Sequence, residues 1–94
     1  MKITKELIEE YQENGAVCVR NAFSNEWVEL VAQGIEKNLQ SPSPLGEKLT
    51  SDNSDAYYFD DLANWQRIPE IKKYVLESPA AAIAGQFMKS EVIF

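Results

Sequence analysis

The sequence has no histidine and a single cysteine, Cys18, among its 94 residues. One thiol cannot form an internal disulfide framework, and without imidazole ligands we expect no transition-metal site built from this chain alone. Cys18 lies in the short apolar run AVCV. That setting favours a buried, inert thiol over a reactive one.

Basic residues and long apolar runs are also scarce. Lys and Arg number 9 against 15 Asp and Glu, giving a net charge of -6, and Lys72–Lys73 is the only adjacent basic pair. Nucleic acid is therefore not an expected partner, because phosphate backbones require clustered cations. The start, Met1–Gln12, has no apolar signal region, and no run reaches the roughly 20 residues of a membrane span. We expect a cytoplasmic protein without a membrane partner.

The first third of the chain predicts a helix, a strand and a second helix in one small globular domain. Thr4 can cap a helix that Gly15 ends. The β-branched run Ala16–Arg20 predicts a short strand buried on both faces. Ser24 can begin a long helix, and its apolar residues recur at spacings of three and four, which predicts a core-facing stripe. That stripe consists of Trp27, Val28, Val31, Ile35 and Leu39.

The remainder predicts a long loop, two helices and the start of a strand. Ser41–Asp55 is rich in proline and small polar residues, and loops of this length are functional or disordered. A helix is expected from Ile68 with Pro69 in its first turn, and Ser78–Pro79 predicts a further helix through Met88. Val92–Phe94 predicts the start of an apolar strand that ends at Phe94. We expect that the chain is cut there and that this unpaired edge allows self-association.

The densest chemistry lies in Tyr57–Glu70, where four aromatic residues accompany acids, amides and an arginine. The aromatic residues can form an apolar pocket wall or fill the core beneath the loop. Arg67 can clamp a carboxylate or phosphate, or it can form a structural ion pair with a nearby acid. The acids in question are Asp60, Asp61 and Glu70. We take Phe59, Trp65 and Arg67 as candidate substrate-binding residues, and no catalytic or metal-binding residue is identified.

The order of motifs resembles the N-terminal part of the phytanoyl-CoA dioxygenase-like family. YQENGAVCVRNAFSNEWVELVAQGIEKNL, residues 11–39, is similar to the opening of that family: a helix, a glycine turn, a short strand and Phe-Ser before a long helix. YYFDDLANWQRIPEIKKYVLESPAAAIAGQFMKSEVIF, residues 57–94, is similar to the segment that follows. The pairing of NWQRIPE with SPAAAIAGQFM is the more specific half of the resemblance.

The resemblance implies an α+β fold, namely the N-terminal helices and first strands of a double-stranded β-helix (jelly-roll) oxygenase, truncated before the barrel core. Residues 1–94 would form one part of a single domain, with 41–55 as a loop or lid. The family's iron(II) and 2-oxoglutarate ligands have no counterparts in this chain, which alone is expected to be inactive. The parent would act on a small-molecule substrate. The alternative is a stand-alone acidic α+β module that binds a protein partner through Trp65 and its neighbours.

Overall fold

Helices dominate the computed structural model, which describes residues 2–51, 53, 55–62 and 64–94. Four helices and one two-stranded sheet are present in this described part. In chain order the elements are α1 (Lys5–Asn14), α2 (Asn25–Gln40), β1 (Glu47–Lys48), β2 (Phe59–Asp60), α3 (Pro69–Glu77) and α4 (Ala80–Met88). The protein is therefore a small, helix-rich α+β structure.

Both ends of α1 follow from local chemistry, as the sequence predicts. The Thr4 side chain accepts a hydrogen bond from the Leu7 backbone N–H at 3.3 Å, which caps the first turn. Gly15 adopts the left-handed conformation with φ of 76° and donates its N–H to the Tyr11 carbonyl at 2.8 Å. Glycine enters this region without a Cβ clash, so the predicted stop at Gly15 is confirmed.

The other three helices begin close to their predicted positions. Ser24 is the N-cap of α2, and Pro69 occupies the first turn of α3, where its missing N–H costs nothing. α4 begins at Ala80, whose backbone N–H donates to the Ser78 hydroxyl at 3.2 Å. The predictions of these three helices are confirmed.

The helices pack in pairs: α2 lies against α3, α1 against α4, and α3 also contacts α4. Gly34 in the middle of α2 is buried, and a Cβ placed there would lie 2.5 Å from Cδ1 of Ile71. Because glycine has no side chain, α2 and α3 can approach closely at this position. In the other pair, the ring of Phe87 lies 5.7 Å from that of Tyr11, and Nε2 of Gln12 donates to the Phe87 carbonyl at 2.6 Å.

Little apolar surface is removed from water by this packing. Ile3, Ile68 and Phe87 are the buried apolar residues of the described part. The accessible surface is 7411 Å², whereas a compact monomer of 10.7 kDa exposes about 5,500 Å². The radius of gyration, 16.2 Å, likewise exceeds the roughly 12 Å expected for this length. The chain is elongated and leaves apolar side chains exposed.

A small hairpin interrupts the segment Ser41–Asp55, which the sequence predicts as a loop. β1 and β2 are antiparallel, with Glu47 opposite Asp60 and Lys48 opposite Phe59. The pairing continues through Leu49, whose N–H donates to the Tyr58 carbonyl at 2.7 Å. The loop prediction therefore missed a short strand. For positions 52 and 54, the loop prediction lies outside the described residues.

Both strands predicted from β-branched runs are wrong. Ala16–Arg20 is irregular and leads into a turn at Asn21, which has φ of 58°, and Val92–Phe94 is irregular as well. A strand requires a partner for its backbone groups, and neither segment pairs with another within the described part. Cys18 is consequently exposed, which corrects the expectation of a buried thiol.

The predicted core stripe of α2 is only partly covered. Gly34 is buried against Ile71 of α3, but Val28 is 58% exposed and Ile35 is 52% exposed. The expectation that the whole stripe lies in the core is therefore wrong for these two residues. The stripe is wide enough that α3 covers one edge and leaves the other in solvent.

Candidate functional site

Arg67 ties the end of α2 to the turn that precedes α3. Its Nη1 donates to the Ser41 carbonyl at 2.7 Å, and its Nη2 donates to Oδ1 of Asn38 at 2.9 Å. The same Asn38 oxygen accepts a bond from Nδ2 of Asn64 at 2.8 Å. A guanidinium carries five N–H donors in a planar fork, so these bonds leave others for a ligand.

Asp61 forms a second anchor that fixes the start of the loop. Its carboxylate accepts hydrogen bonds from the Ser43 hydroxyl, from the Ser43 N–H at 2.9 Å and from the Leu62 N–H at 2.8 Å. The hydrogen bond from the Ser43 hydroxyl is the main cause that lowers the pKa of Asp61. The Asp61 side chain is 1% exposed, and Nη2 of Arg67 lies 3.9 Å from Oδ2. Of the three acids proposed as ion-pair partners for Arg67, Asp61 is thus the one in contact.

We expect the Asp61 anchor to make stability depend on acidic pH. Because the folded state lowers the pKa of Asp61, its stabilising effect is complete above about pH 4 and is lost as the pH falls through the folded value. The melting temperature should therefore fall as the pH is lowered below about 4, and Asp61→Asn should reduce that fall. Asp60→Asn, at the exposed neighbouring position, is the control and should leave the fall unchanged. Equal pH dependence in wild type and Asp61→Asn would contradict the role of this anchor.

A shallow pocket lies beside Arg67 at the junction of α2 and α3. It has a volume of about 290 Å³ and is lined by Lys37, Gln40, Ser41, Arg67, Ile68 and Pro69. Two cationic side chains therefore border the pocket. Lys37 also forms an ion pair with Glu70, and this bond is the main cause that lowers the pKa of Glu70. The Arg67 side chain is 39% exposed, which leaves it accessible to an anionic group.

Phe59 and Trp65 do not line this pocket. Phe59 lies on the hairpin, half-buried, where its ring stacks on that of Tyr57 at 6.5 Å with an interplanar angle of 14°. Nζ of Lys48 lies 5.4 Å from the centre of the Tyr57 ring. Trp65 is half-buried in the turn before α3. A substrate-binding role for Phe59, Trp65 and Arg67 stays a prediction.

An apolar groove, which the sequence reasoning assigned to the core, lies on the exposed edge of α2. Its volume is about 400 Å³, and it is lined by Phe23, Trp27, Val28, Val31, Ala32, Ile35 and Tyr74. The Tyr74 ring lies 5.8 Å from the ring of Phe23 and 6.4 Å from that of Trp27. The periodic stripe of α2 was the available signal, but periodicity does not tell whether a partner element covers it.

Within residues 2–51, 53, 55–62 and 64–94, no group of three His, Cys, Asp or Glu side chains is arranged to hold a metal ion. In the same residues, no helix combines the length and the apolar character needed to cross a bilayer.

Comparison with known proteins gave no match: no family model, no curated protein and no solved structure is similar to this chain at a significant level. The relation to the phytanoyl-CoA dioxygenase-like family therefore depends on the motifs quoted above, and it stays a prediction.

Proposed function

We propose that this chain is the N-terminal helical part of an iron(II)- and 2-oxoglutarate-dependent dioxygenase similar to the phytanoyl-CoA dioxygenase-like family. The observation that carries the proposal is the content and order of two motifs. NWQRIPE leads directly into α3, and SPAAAIAGQFM supplies α4. They follow a helix, a glycine turn and a long helix that begins after Phe23–Ser24, which is the order in which the resembling motifs occur.

The iron and 2-oxoglutarate that this proposal implies do not fit the residues of this chain. The sequence has no histidine, and the described residues offer no cluster of metal ligands. Both groups would be held by residues outside this chain. The parent enzyme would hydroxylate a small or acyl-type substrate in the cytoplasm, and the 94-residue chain alone would be inactive.

The contribution of this chain would be to bind and orient the substrate. Arg67 and Lys37 border the pocket beside α3 and could receive an anionic group of the substrate. Phe59 and Trp65 would supply apolar contact area from the hairpin and the turn. The loop 41–55 would act as a lid, with its start held by the bonds between Ser43 and Asp61.

In the complete enzyme, Trp65→Ala and Arg67→Ala should reduce turnover more than they reduce iron occupancy. An interaction made with the substrate changes kcat/KM, because it stabilises the transition state relative to free enzyme and substrate. We expect a loss of at least about tenfold in kcat/KM per folded molecule for Arg67→Ala, the cost of removing a charged contact. Turnover, iron content and melting temperature should be measured on the same preparations.

Lys5→Ala is a matched control, because it also removes an exposed cation but lies on α1, away from the pocket and the loop. Its kcat/KM should stay close to the wild-type value. If Arg67→Ala lowers the melting temperature while activity per folded molecule is unchanged, the arginine only holds the fold, and the substrate-binding assignment is wrong.

The quickest test of the proposal is the coding sequence downstream of the Phe94 codon. The proposal predicts that the reading frame continues and encodes His-x-Asp within a few codons, the first part of an iron-binding triad. A reading frame that closes at once, or that continues without such a motif, would overturn the assignment.

A protein-interaction module is the second candidate, and the unusually large exposed surface favours it. The described chain exposes about 1,900 Å² more surface than a compact monomer of its mass, and much of the groove on α2 is apolar. Large exposed apolar patches mark interaction surfaces. A cooperative melt of the isolated chain together with a closed reading frame after Phe94 would favour this candidate over the oxygenase.

A further inference from the structure

The apolar groove on α2 and α3 exposes residues at a spacing that suits a partner helix. Two of its residues, Val28 and Ile35, are 58% and 52% exposed. These two residues lie two helical turns apart, about 10 Å along the axis. That distance matches the spacing of apolar residues at positions i, i+3 or i+4, and i+7 on a partner helix.

The charge around the groove is mainly negative. On a helix, the residues three and four positions from a groove residue are its nearest neighbours on the surface. At these positions along α2 and α3, every charged residue is a glutamate, and no lysine or arginine occurs. The four are Glu29, Glu36, Glu70 and Glu77. Glu70 is bonded to Lys37, and the other three are exposed. One cation, Lys73, lies beside Trp27 together with Glu26.

We propose that this groove docks an amphipathic helix of a partner protein, with an apolar ridge flanked by Lys and Arg. The ridge would fill the space beside Phe23, Trp27 and Tyr74, while the cations would lie near the acidic rim. Complementary charge of this kind favours encounter and fixes the orientation of the partner. A standard interface buries about 800 Å² per partner, which is less than the surplus surface of this chain. This inference names a partner for the second candidate function, the protein-interaction module, and does not use the oxygenase proposal.

Charge disfavours the other occupants. A second copy of the chain would carry a net charge of -6 and would bring the same glutamates against the rim. An anionic membrane surface would be repelled for the same reason. A basic amphipathic helix is the occupant that satisfies both the apolar groove and its acidic border.

The test uses the 94-residue chain and a synthetic, fluorescein-labelled helical peptide of leucine and lysine, with leucine at i, i+3, i+4 and i+7 in each repeat. Binding is followed by fluorescence anisotropy. A second peptide carries glutamate at every lysine position and controls for non-specific apolar association. The basic peptide should bind at least about tenfold more tightly, and its advantage should shrink as salt is added.

Variants then locate the bound peptide. Val28→Asp and Ile35→Asp should each weaken binding by about tenfold or more, because they place a charge in the apolar contact. Both positions are half exposed, so helix content should be retained, as circular dichroism can verify. Leu76→Asp is the matched control, since Leu76 is 63% exposed on α3 but does not line the groove. It should leave binding unchanged.

The acidic rim is tested by a double substitution, Glu29→Gln with Glu36→Gln. It should weaken binding of the basic peptide several-fold. The control is Glu10→Gln with Glu13→Gln on α1, which removes the same charge away from the groove and should have little effect on binding. Equal binding of the two peptides, or unchanged binding to Val28→Asp and Ile35→Asp, would overturn the proposal. A wild-type dimer that Val28→Asp converts to monomer in sedimentation would also overturn it, because the occupant would then be a second copy.

Discussion

Phe87→Ala should lower the free energy of unfolding by about 3 kcal/mol, the lower end of the range for removing a buried aromatic side chain. Phe87 is 7% exposed and is one of the few buried apolar residues of the described chain. Its ring packs on that of Tyr11 and holds α1 against α4. The substitution therefore removes both the apolar contact and the surface on which α1 rests, and urea denaturation measures the loss.

The neighbouring residue provides the control. Met88 is 55% exposed, so Met88→Ala should change the free energy of unfolding by no more than about 0.5 kcal/mol. If the two substitutions have equal effects, α1 and α4 are not held together by Phe87, and the packing described for this pair is wrong.

Gly34→Val should destabilise the other helix pair by about 1–3 kcal/mol, the usual cost of overfilling a packed contact. A Cβ at this position would lie 2.5 Å from Cδ1 and 2.7 Å from Cγ1 of Ile71, well inside van der Waals contact. Valine adds two further carbons and fits only if the Ile71 side chain changes rotamer or α2 and α3 move apart. Valine has a higher helix propensity than glycine, but this offsets only a few tenths of a kcal/mol of the destabilisation. Thermal denaturation followed by circular dichroism measures the balance.

Gln33→Val separates this clash from the general effect of a β-branched residue in α2. Gln33 is exposed and adjacent to Gly34, so the same substitution there meets no neighbouring helix. It should change stability by less than about 0.5 kcal/mol. A Gly34→Val variant as stable as Gln33→Val would mean that the side chain of Ile71 moves aside freely and that the close approach of α2 and α3 is not needed.

Helix ends could be predicted from the sequence because they depend on local chemistry. Thr4 accepts a bond from a residue three positions away, Gly15 adopts a conformation that few other residues tolerate, and Pro69 fits only a first turn. None of these features requires knowledge of distant contacts. All three therefore occupy their predicted places.

Strand formation could not be predicted in the same way, nor could the burial of an apolar helix face by a neighbouring element. Both depend on residues that are distant in the sequence. The β-branched residues of Ala16–Arg20 have high strand propensity, yet the segment stays irregular. The strands that do form pair two residues of a predicted loop with Phe59–Asp60. The spacing of Val28 and Ile35 likewise indicates an apolar face without telling whether another element covers it.

In the candidate site, too, the long-range contacts could not be predicted from the sequence. The sequence proposed three acids as partners for Arg67 but could not choose among them, since all three lie near Arg67 along the chain. In the folded chain Lys37 of α2 pairs with Glu70, and Arg67 is left near Asp61 and bonded to Asn38. This outcome depends on how α2 lies beside α3, which no local pattern of residues encodes.

An anaerobic titration with iron(II) and 2-oxoglutarate is the most direct test of the proposed function. It should be made on two proteins, the 94-residue chain and the product of the complete reading frame that contains it. A bidentate 2-oxoacid on iron(II) gives a visible charge-transfer absorption, which serves as the readout. We expect this absorption to appear stoichiometrically in the complete protein and not at all in the 94-residue chain. Its absence from the complete protein, or its appearance in the 94-residue chain, would contradict the account.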